Sequence, residues 1–225
     1  MILKNKKLYF EWDTISWSRA MNIWHKYLES NRGKYVLEVG SRHGGLSLML
    51  AKEYGMEVVC SDLNNPETSA QLLHKKYITN HKIKYEAVDC VNMPFEDNTF
   101  DVVVFKSVVG ELGSADKQLL AFNEMLRVLK PGAILLFAEN LECSVLHMYL
   151  RRKFLVRGSS WRYLKLNEIH SFLKDYNFVE LNTTGFFANL ISKNYIKNFC
   201  SYFDYFFEKI VPKKFRYIVY GAAIK

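Results

Sequence analysis

Glu38, Gly40, Ser41, Gly44 and Gly45 close a short apolar run, YVLEV at 35–39, in the stretch KYVLEVGSRHGGL. A glycine-rich turn between a strand and a helix lets backbone approach a ligand closely, and the helix start offers unpaired N–H groups to its polar atoms. The dinucleotide fingerprint G-x-G-x-x-G is shaped for a pyrophosphate. Here Gly40 is followed by Ser41, Arg42 and His43 before Gly44, so the middle glycine is missing. Asp62 stands 22 residues after Gly40, at the end of the next apolar run. A carboxylate at that distance is placed to hold a ribose diol through two hydrogen bonds. Asp89 and Cys90 end a third run, where an acid can accept from an adenine amino group. Together these point to a nucleoside ligand without phosphates. His43 reads as a turn residue whose backbone matters more than its ring.

Such residues need a scaffold that brings strand tips together. Beta-rich runs at 35–39, 57–61, 83–88, 101–106 and 133–138 alternate with helical patterns at 44–54, 66–78 and 115–129. That alternation is the signature of βαβ units around a mostly parallel sheet. In the helix at 115–129, Leu119, Phe122, Leu126 and Leu129 share an apolar face, and KPGA at 130–133 is expected to stop it. A helix over 13–30, capped by Asp13 or Thr14, precedes the first strand. Beyond residue 139 the expectation is helices at 165–175 and 189–210 and strands at 177–186 and 216–224, seven strands in all.

VLEVGSRHGG, SDL, AVDCVNMPFEDNTFDVVV and EMLRVLKPGAILLFAE resemble, in order and spacing, the successive motifs of the class I S-adenosylmethionine (SAM) dependent methyltransferases. The resemblance covers roughly residues 33–140. One departure is Ala133, where the family usually has a second glycine. It implies a Rossmann-like α/β fold: a seven-stranded, mostly parallel sheet with an antiparallel last strand and helices on both faces. One domain, 1–225, would comprise an N-terminal lid helix (1–32), a SAM-binding core (33–140) and acceptor-binding and C-terminal sheet elements (141–225). By the same resemblance Glu38, Gly40, Ser41 and Gly44 would line the amino-acid end of the cofactor, Glu38 through water or the turn's backbone. Asp62 would hold the ribose with Leu63 beside the adenine, Asp89 and Cys90 would frame the adenine amino group, and Lys106 would lie along the methionine moiety through its backbone.

Methyl transfer from a sulfonium is an in-line displacement, so positioning supplies much of the rate, and a hydroxyl acceptor also profits from a general base. Candidates for that base are His147, Glu111 and Glu139. The segment 138–163 concentrates polar and aromatic groups where the family inserts substrate-binding elements, with Asn140, Arg151, Trp161, Arg162 and Tyr163 as candidate contacts and Trp12 from the N-terminal lid. If 144–154 is a helix, His147 and Arg151 share a face. Flat aromatic surfaces with polar donors suit a sugar or an anionic small molecule; packing of Trp161 in the core is the alternative. No Asn-Pro-Pro-aromatic signature of amino-directed nucleic-acid or protein methylation follows the fourth strand. The longer pattern resembles methyltransferases of surface-polysaccharide or secondary-metabolite pathways. The expectation is O-methylation of a sugar or glycolipid intermediate in bacterial surface-polysaccharide biosynthesis. Methylation of another small metabolite, methylation of RNA, and SAM binding without catalysis are the alternatives.

A net charge of +8 leaves nucleic acid open, but the basic residues are spread along the chain, which argues against it. The four cysteines are scattered and lack metal or redox spacing, and no paired carboxylates suggest a metal, so none is expected. No apolar run approaches the roughly 18 residues needed to span a bilayer, and MILKNKK is charged where a signal peptide would be apolar, so a cytoplasmic protein is expected. Tyr195, Phe199, Phe203, Phe206 and Ile210 form one stripe of the helix at 189–210, followed by PKKFR. That stripe suits core, a homodimer face, or peripheral contact with a membrane or lipid-linked substrate.

Overall fold

The computed structural model describes residues 5–78, 83–145, 147–149, 161–186, 200, 203–204 and 206–225. Arg151, most of the expected helix at 144–154 and most of the one at 189–210 lie outside the described residues.

Seven strands form one sheet: β1 Tyr35–Val39, β2 Glu57–Asp62, β3 Ile83–Ala87, β4 Phe100–Lys106, β5 Leu129–Asn140, β6 Phe178–Thr184 and β7 Ile218–Ile224. Their order is β3-β2-β1-β4-β5-β7-β6. β1 to β5 are parallel, and β7 runs antiparallel between β5 and β6. The direction of the sheet order changes beside β1, where β1 lies between β2 and β4. In open α/β sheets ligands bind outside the carboxyl ends at such a point.

Side chains alternate across a strand, and here parity sorts them cleanly. Val36, Val58, Val102, Val104 and Leu136 pack under α1 Lys6–Phe10, α3 Met21–Ser30 and α4 Gly45–Tyr54. Leu37, Val39, Val59, Val103, Phe105 and Phe137 face α6 Ala115–Val128 and α7 Leu166–Phe172. Helix α5 Glu67–Tyr77 joins β2 to β3. Glu38 and Lys106, with even numbers, therefore point to the face that carries the N-terminal helices.

Four expectations are corrected. Residues 13–30 are a broken helix, α2 Thr14–Trp17, a 3-10 turn Ser18–Ala20 and then α3. Asp13 caps nothing, because its carboxylate accepts from the Tyr217 hydroxyl at 2.9 Å and its backbone is left-handed. In α6 the buried stripe is Gln118, Ala121, Phe122, Met125 and Val128, while Leu119 is 37% exposed. Gln118 turns inward because its amide donates to the Val109 and Arg162 carbonyls, both at 3.0 Å. KPGA does not end the helix either: β5 begins at Leu129, and the excursion is stitched to the chain end by Gly132 N–H to Lys225 O and Lys225 N–H to Ala133 O.

Candidate functional site

Beyond Val39 the chain turns at Gly40 (φ +69°), Arg42 (φ +53°) and Gly44 (φ +74°) before α4 begins. A Cβ on Gly40 would overlap the Val108 side chain; on Gly44 it would lie 2.5 Å from His74 Nε2. On Gly45 it would lie 2.7 Å from the carbonyl oxygens of Leu8 and Tyr9. The cradle is thus pressed from three sides, by the β4 loop, by α5 and by the N-terminal segment.

Its shape is fixed by Glu38 together with Ser47, His74 and Tyr85, which no sequence motif singled out. Glu38, fully buried, accepts from the Ser47 backbone N–H at 2.7 Å and from the Ser47 hydroxyl, which satisfies the opening turn of α4. Burial pushes the Glu38 carboxyl up to about 7, against the pull of those Ser47 donors. The His74 ring spans the Gly44 carbonyl and the Tyr85 hydroxyl, each at 2.8 Å. A carbonyl only accepts, so Nε2 carries the proton and Nδ1 takes the Tyr85 hydrogen. Burial lowers the pKa of His74, which favours that neutral form. No local pattern announces His74, thirty residues from the turn it supports.

Asp62 at the tip of β2 accepts from Arg42 N–H and Leu63 N–H, both at 2.8 Å, and so ties the turn to the neighbouring strand. Each carboxylate oxygen has a second lone pair for a ligand. Leu63 beside it is 67% exposed, an apolar surface at a strand tip. Ser41 is buried and its N–H donates to the Ser61 carbonyl at 2.8 Å. Asp89 is exposed and accepts from Val91 N–H at 3.1 Å; Cys90 is buried, its thiol pushed up to about 12.

Above this cradle lies the N-terminal segment. Lys106 Nζ donates to the Phe10 carbonyl at 3.3 Å and sits 3.2 Å from the centre of the Trp12 ring. Burial lowers its pKa to about 8. The Lys106 side chain thus fastens the N-terminal segment over the turn. The Arg42 guanidinium lies 4.8 Å from the same ring, 3.4 Å from the Glu11 carboxylate. Tyr9, Trp12, Glu38, Gly40, Arg42 and Lys106 leave about 10 Å³ between them, room for a single water at most. The cradle, a buried carboxylate and a strand-tip Asp fit a nucleoside with an amino-acid end, provided the Glu11–Asp13 tip moves aside.

Glu139 is misplaced for a general base, and that expectation is corrected. It is fully buried, and its oxygens accept from Val108 N–H (2.8 Å), Val109 N–H (2.9 Å), Asn140 N–H (2.7 Å) and Asn140 Nδ2 (3.2 Å). Burial raises its pKa, and these donors oppose the rise. It is a positioning residue for the loop after β4. His147 is likewise buried, its Nε2 donating to the Phe186 carbonyl at 3.1 Å and its ring stacked on Tyr217. That geometry does not present it to an acceptor. Glu111, on the 3-10 turn Val109–Leu112, is exposed.

Asn140 Nδ2 also reaches the Ser107 hydroxyl at 2.9 Å, linking the tips of β4 and β5. Arg162 is consumed structurally by Gln118 and by Glu168 at 2.5 Å, and its N–H donates to the Gly110 carbonyl at 2.8 Å. Its expected role as an acceptor contact is corrected accordingly. Trp161 packs against Gly110, where a Cβ would come within 2.5 Å of the indole, and Tyr163 is tilted against it at 6.3 Å. Among the described residues no three His, Cys, Asp or Glu gather as metal ligands.

The strand order, the antiparallel β7 and the glycine turn after β1 define the class I SAM-dependent methyltransferase fold. Residues 37–137 match the family model described as "Methyltransferase domain". The chain is 31% identical over 125 residues to the ubiquinone/menaquinone biosynthesis C-methyltransferase UbiE of Idiomarina loihiensis, covering 52% of this chain and 48% of that protein. It is 35% identical over 126 residues to the 2-methyl-6-phytyl-1,4-hydroquinone methyltransferase of a Synechocystis species, covering 56% and 38%. Among solved structures, phosphoethanolamine N-methyltransferase 2 of Haemonchus contortus in complex with S-adenosyl-L-methionine superposes with a TM-score of 0.66 at 18% identity, over 98% of this chain and 56% of that one. A SAM-dependent methyltransferase of Archaeoglobus fulgidus superposes with a TM-score of 0.63 at 17% identity, over 92% of each chain. The chain spans about half or less of the length of these two curated relatives.

Proposed function

We propose that this domain transfers a methyl group from SAM to a small-molecule acceptor. The observation that carries the reading is the cradle itself: Gly40 and Gly44 pressed from behind, Glu38 buried beneath the turn, and Asp62 at the next strand tip. When bound, SAM supplies a methyl group activated on a sulfonium. Glu38 stabilises the turn and the start of α4; Asp62 is placed to accept from the ribose hydroxyls; Glu139, through the Val108 and Val109 amides, sets the loop that separates cofactor from acceptor. Trp12 and Lys106 exclude water. Positioning and desolvation are what these residues supply.

A sugar or glycolipid intermediate is the acceptor we favour, supported by the half-buried Trp161 and Tyr163 rings beside Gly110. Glu111, exposed on the β4 loop, is the remaining candidate base for a hydroxyl acceptor. A second reading, transfer to carbon or nitrogen of another small metabolite, is supported by the engagement of Glu139 and His147 elsewhere, and by relatives named as C- and N-methyltransferases.

Calorimetry with SAM tests the shared premise. Asp62→Ala removes two ribose acceptors and the anchor of Arg42, so affinity should fall about 10–100-fold. Unchanged affinity removes Asp62 from the site.

A further inference from the structure

The described residues of the stretch 203–215, 203–204 and 206–215, are amphipathic in the inverted sense. Asp204 is buried, and Glu208 faces the protein, paired with Arg19 at 3.3 Å and accepting from the Thr184 hydroxyl and from Gly185 N–H at 3.4 Å. Arg216 clamps the same segment through the Glu208 and Val211 carbonyls and bonds the Thr183 carbonyl at 3.0 Å. With its polar side fastened inward, the segment turns Phe206 (74% exposed) and Ile210 (76% exposed) to solvent. Lys209, Lys213 and Lys214 are exposed in the same stretch, whose acids are turned inward.

We propose that this face docks on an anionic lipid surface, with Phe206 and Ile210 in the interface and the three lysines against the headgroups. Apolar area and positive charge acting together are what interfacial binding requires. The chain's net charge of +8 adds long-range attraction to such a surface. A second copy is disfavoured as occupant, because it would set the three lysines against their own counterparts. A further observation gives the docking a use. A cavity of about 590 Å³ shares Lys214 and Phe215 with this face and is walled by Leu164, Leu166, Lys165 and His170. It reaches Leu141, one residue beyond the Asn140 that links the tips of β4 and β5. An amphiphile with an anionic head could pass from the lipid surface toward the acceptor end of the sheet. The docking itself does not depend on the methyl-transfer reading.

The test is co-sedimentation of the full chain with vesicles of phosphatidylcholine alone and of phosphatidylcholine mixed with phosphatidylglycerol. Binding to the anionic vesicles is expected, weakening as salt rises. Phe206→Ser with Ile210→Ser should reduce it at least about ten-fold. Lys213→Ala and Lys214→Ala should each reduce it about five-fold. Failure to bind anionic vesicles, or undiminished binding by both sets of variants, overturns the proposal. So does a dimer in light scattering that the Phe206/Ile210 variant dissociates, which would make a second copy the occupant. A large fall in melting temperature in that variant would show the face packed within the chain and overturn it too. Calorimetry with SAM reads the methyl-transfer premise separately.

Discussion

Glu38→Gln isolates the cost of burying a carboxylate beneath the turn. In the folded chain the Glu38 carboxyl titrates at about 7, against 4.5 for the ordinary group, because burial disfavours the anion. The folded state therefore holds a proton that the unfolded chain releases between those values. Stability contributed by protonated Glu38 is fully present below pH 4.5 and is lost as pH rises through about 7. That interval, at about 1.4 kcal/mol per pH unit, amounts to about 3 kcal/mol. The glutamine oxygen can still accept from the Ser47 N–H and hydroxyl, so the substitution removes the charge and keeps the geometry. Denaturant titration of both proteins from pH 4.5 to 8.5 should show the wild type losing about 3 kcal/mol relative to the variant, most of it between pH 5 and 7. Taking the difference between the two cancels the other titrating groups to first order. Parallel stability profiles would refute the assignment of a buried, proton-holding Glu38.

Two further substitutions separate backbone strain from crowding and test the β4 loop. Gly40→Ala meets both a left-handed φ and the Val108 side chain and should cost about 2–5 kcal/mol, whereas Gly55→Ala, at φ +65° with nothing within 4 Å, should cost only about 1–2 kcal/mol. Equal losses in thermal denaturation would mean that Val108 does not press on the turn. Glu139→Gln replaces one acceptor oxygen with a donor facing N–H groups and should cost about 3 kcal/mol, with faster amide exchange at Val108 and Val109. Wild-type exchange there would remove Glu139 as the residue that sets the loop.

β1, β2, β4 and β5 were legible because parallel strands buried on both faces read as continuous apolar runs, whereas β3, at the sheet edge, has no fully buried residue and was legible from its place in the alternation. β5 extended further than its run suggested, since Lys130–Gly132 is held by pairing to Lys225, a contact invisible locally. The cradle glycines and Asp62 were legible because strand-to-helix turns have a short-range grammar. Their supports were not: His74, Ser47 and Gln118 act across 9 to 44 residues of chain, and only the fold brings them to their partners. Glu139 and Arg162 misled for the opposite reason. Their residue types suit catalysis and binding, but buried polar groups must be satisfied, and here backbone N–H groups and neighbouring side chains satisfy them.

Among the described residues six non-glycines have a positive φ, and four of these surround the cradle: Glu11, Asp13, Arg42 and Ser107. Glu11 and Asp13 flank Trp12, and Tyr9 and Phe10 before them are anchored in the core, so the lid tip is a strained span of three residues on a fixed base. The Trp12 ring over Lys106 holds the tip down by about 2 kcal/mol, and the Lys106 bond to the Phe10 carbonyl adds about 1.5–3 kcal/mol to the closed arrangement. Against this stands the burial of the Lys106 ammonium, which lowers its pKa to about 8. Strain at Glu11 and Asp13 opposes closure by a further 1 kcal/mol or so each. The opposing contributions agree to within a few kcal/mol. The tip over the cradle is therefore close to balance, as it must be if a nucleoside is to enter a space that in the closed arrangement holds no more than one water.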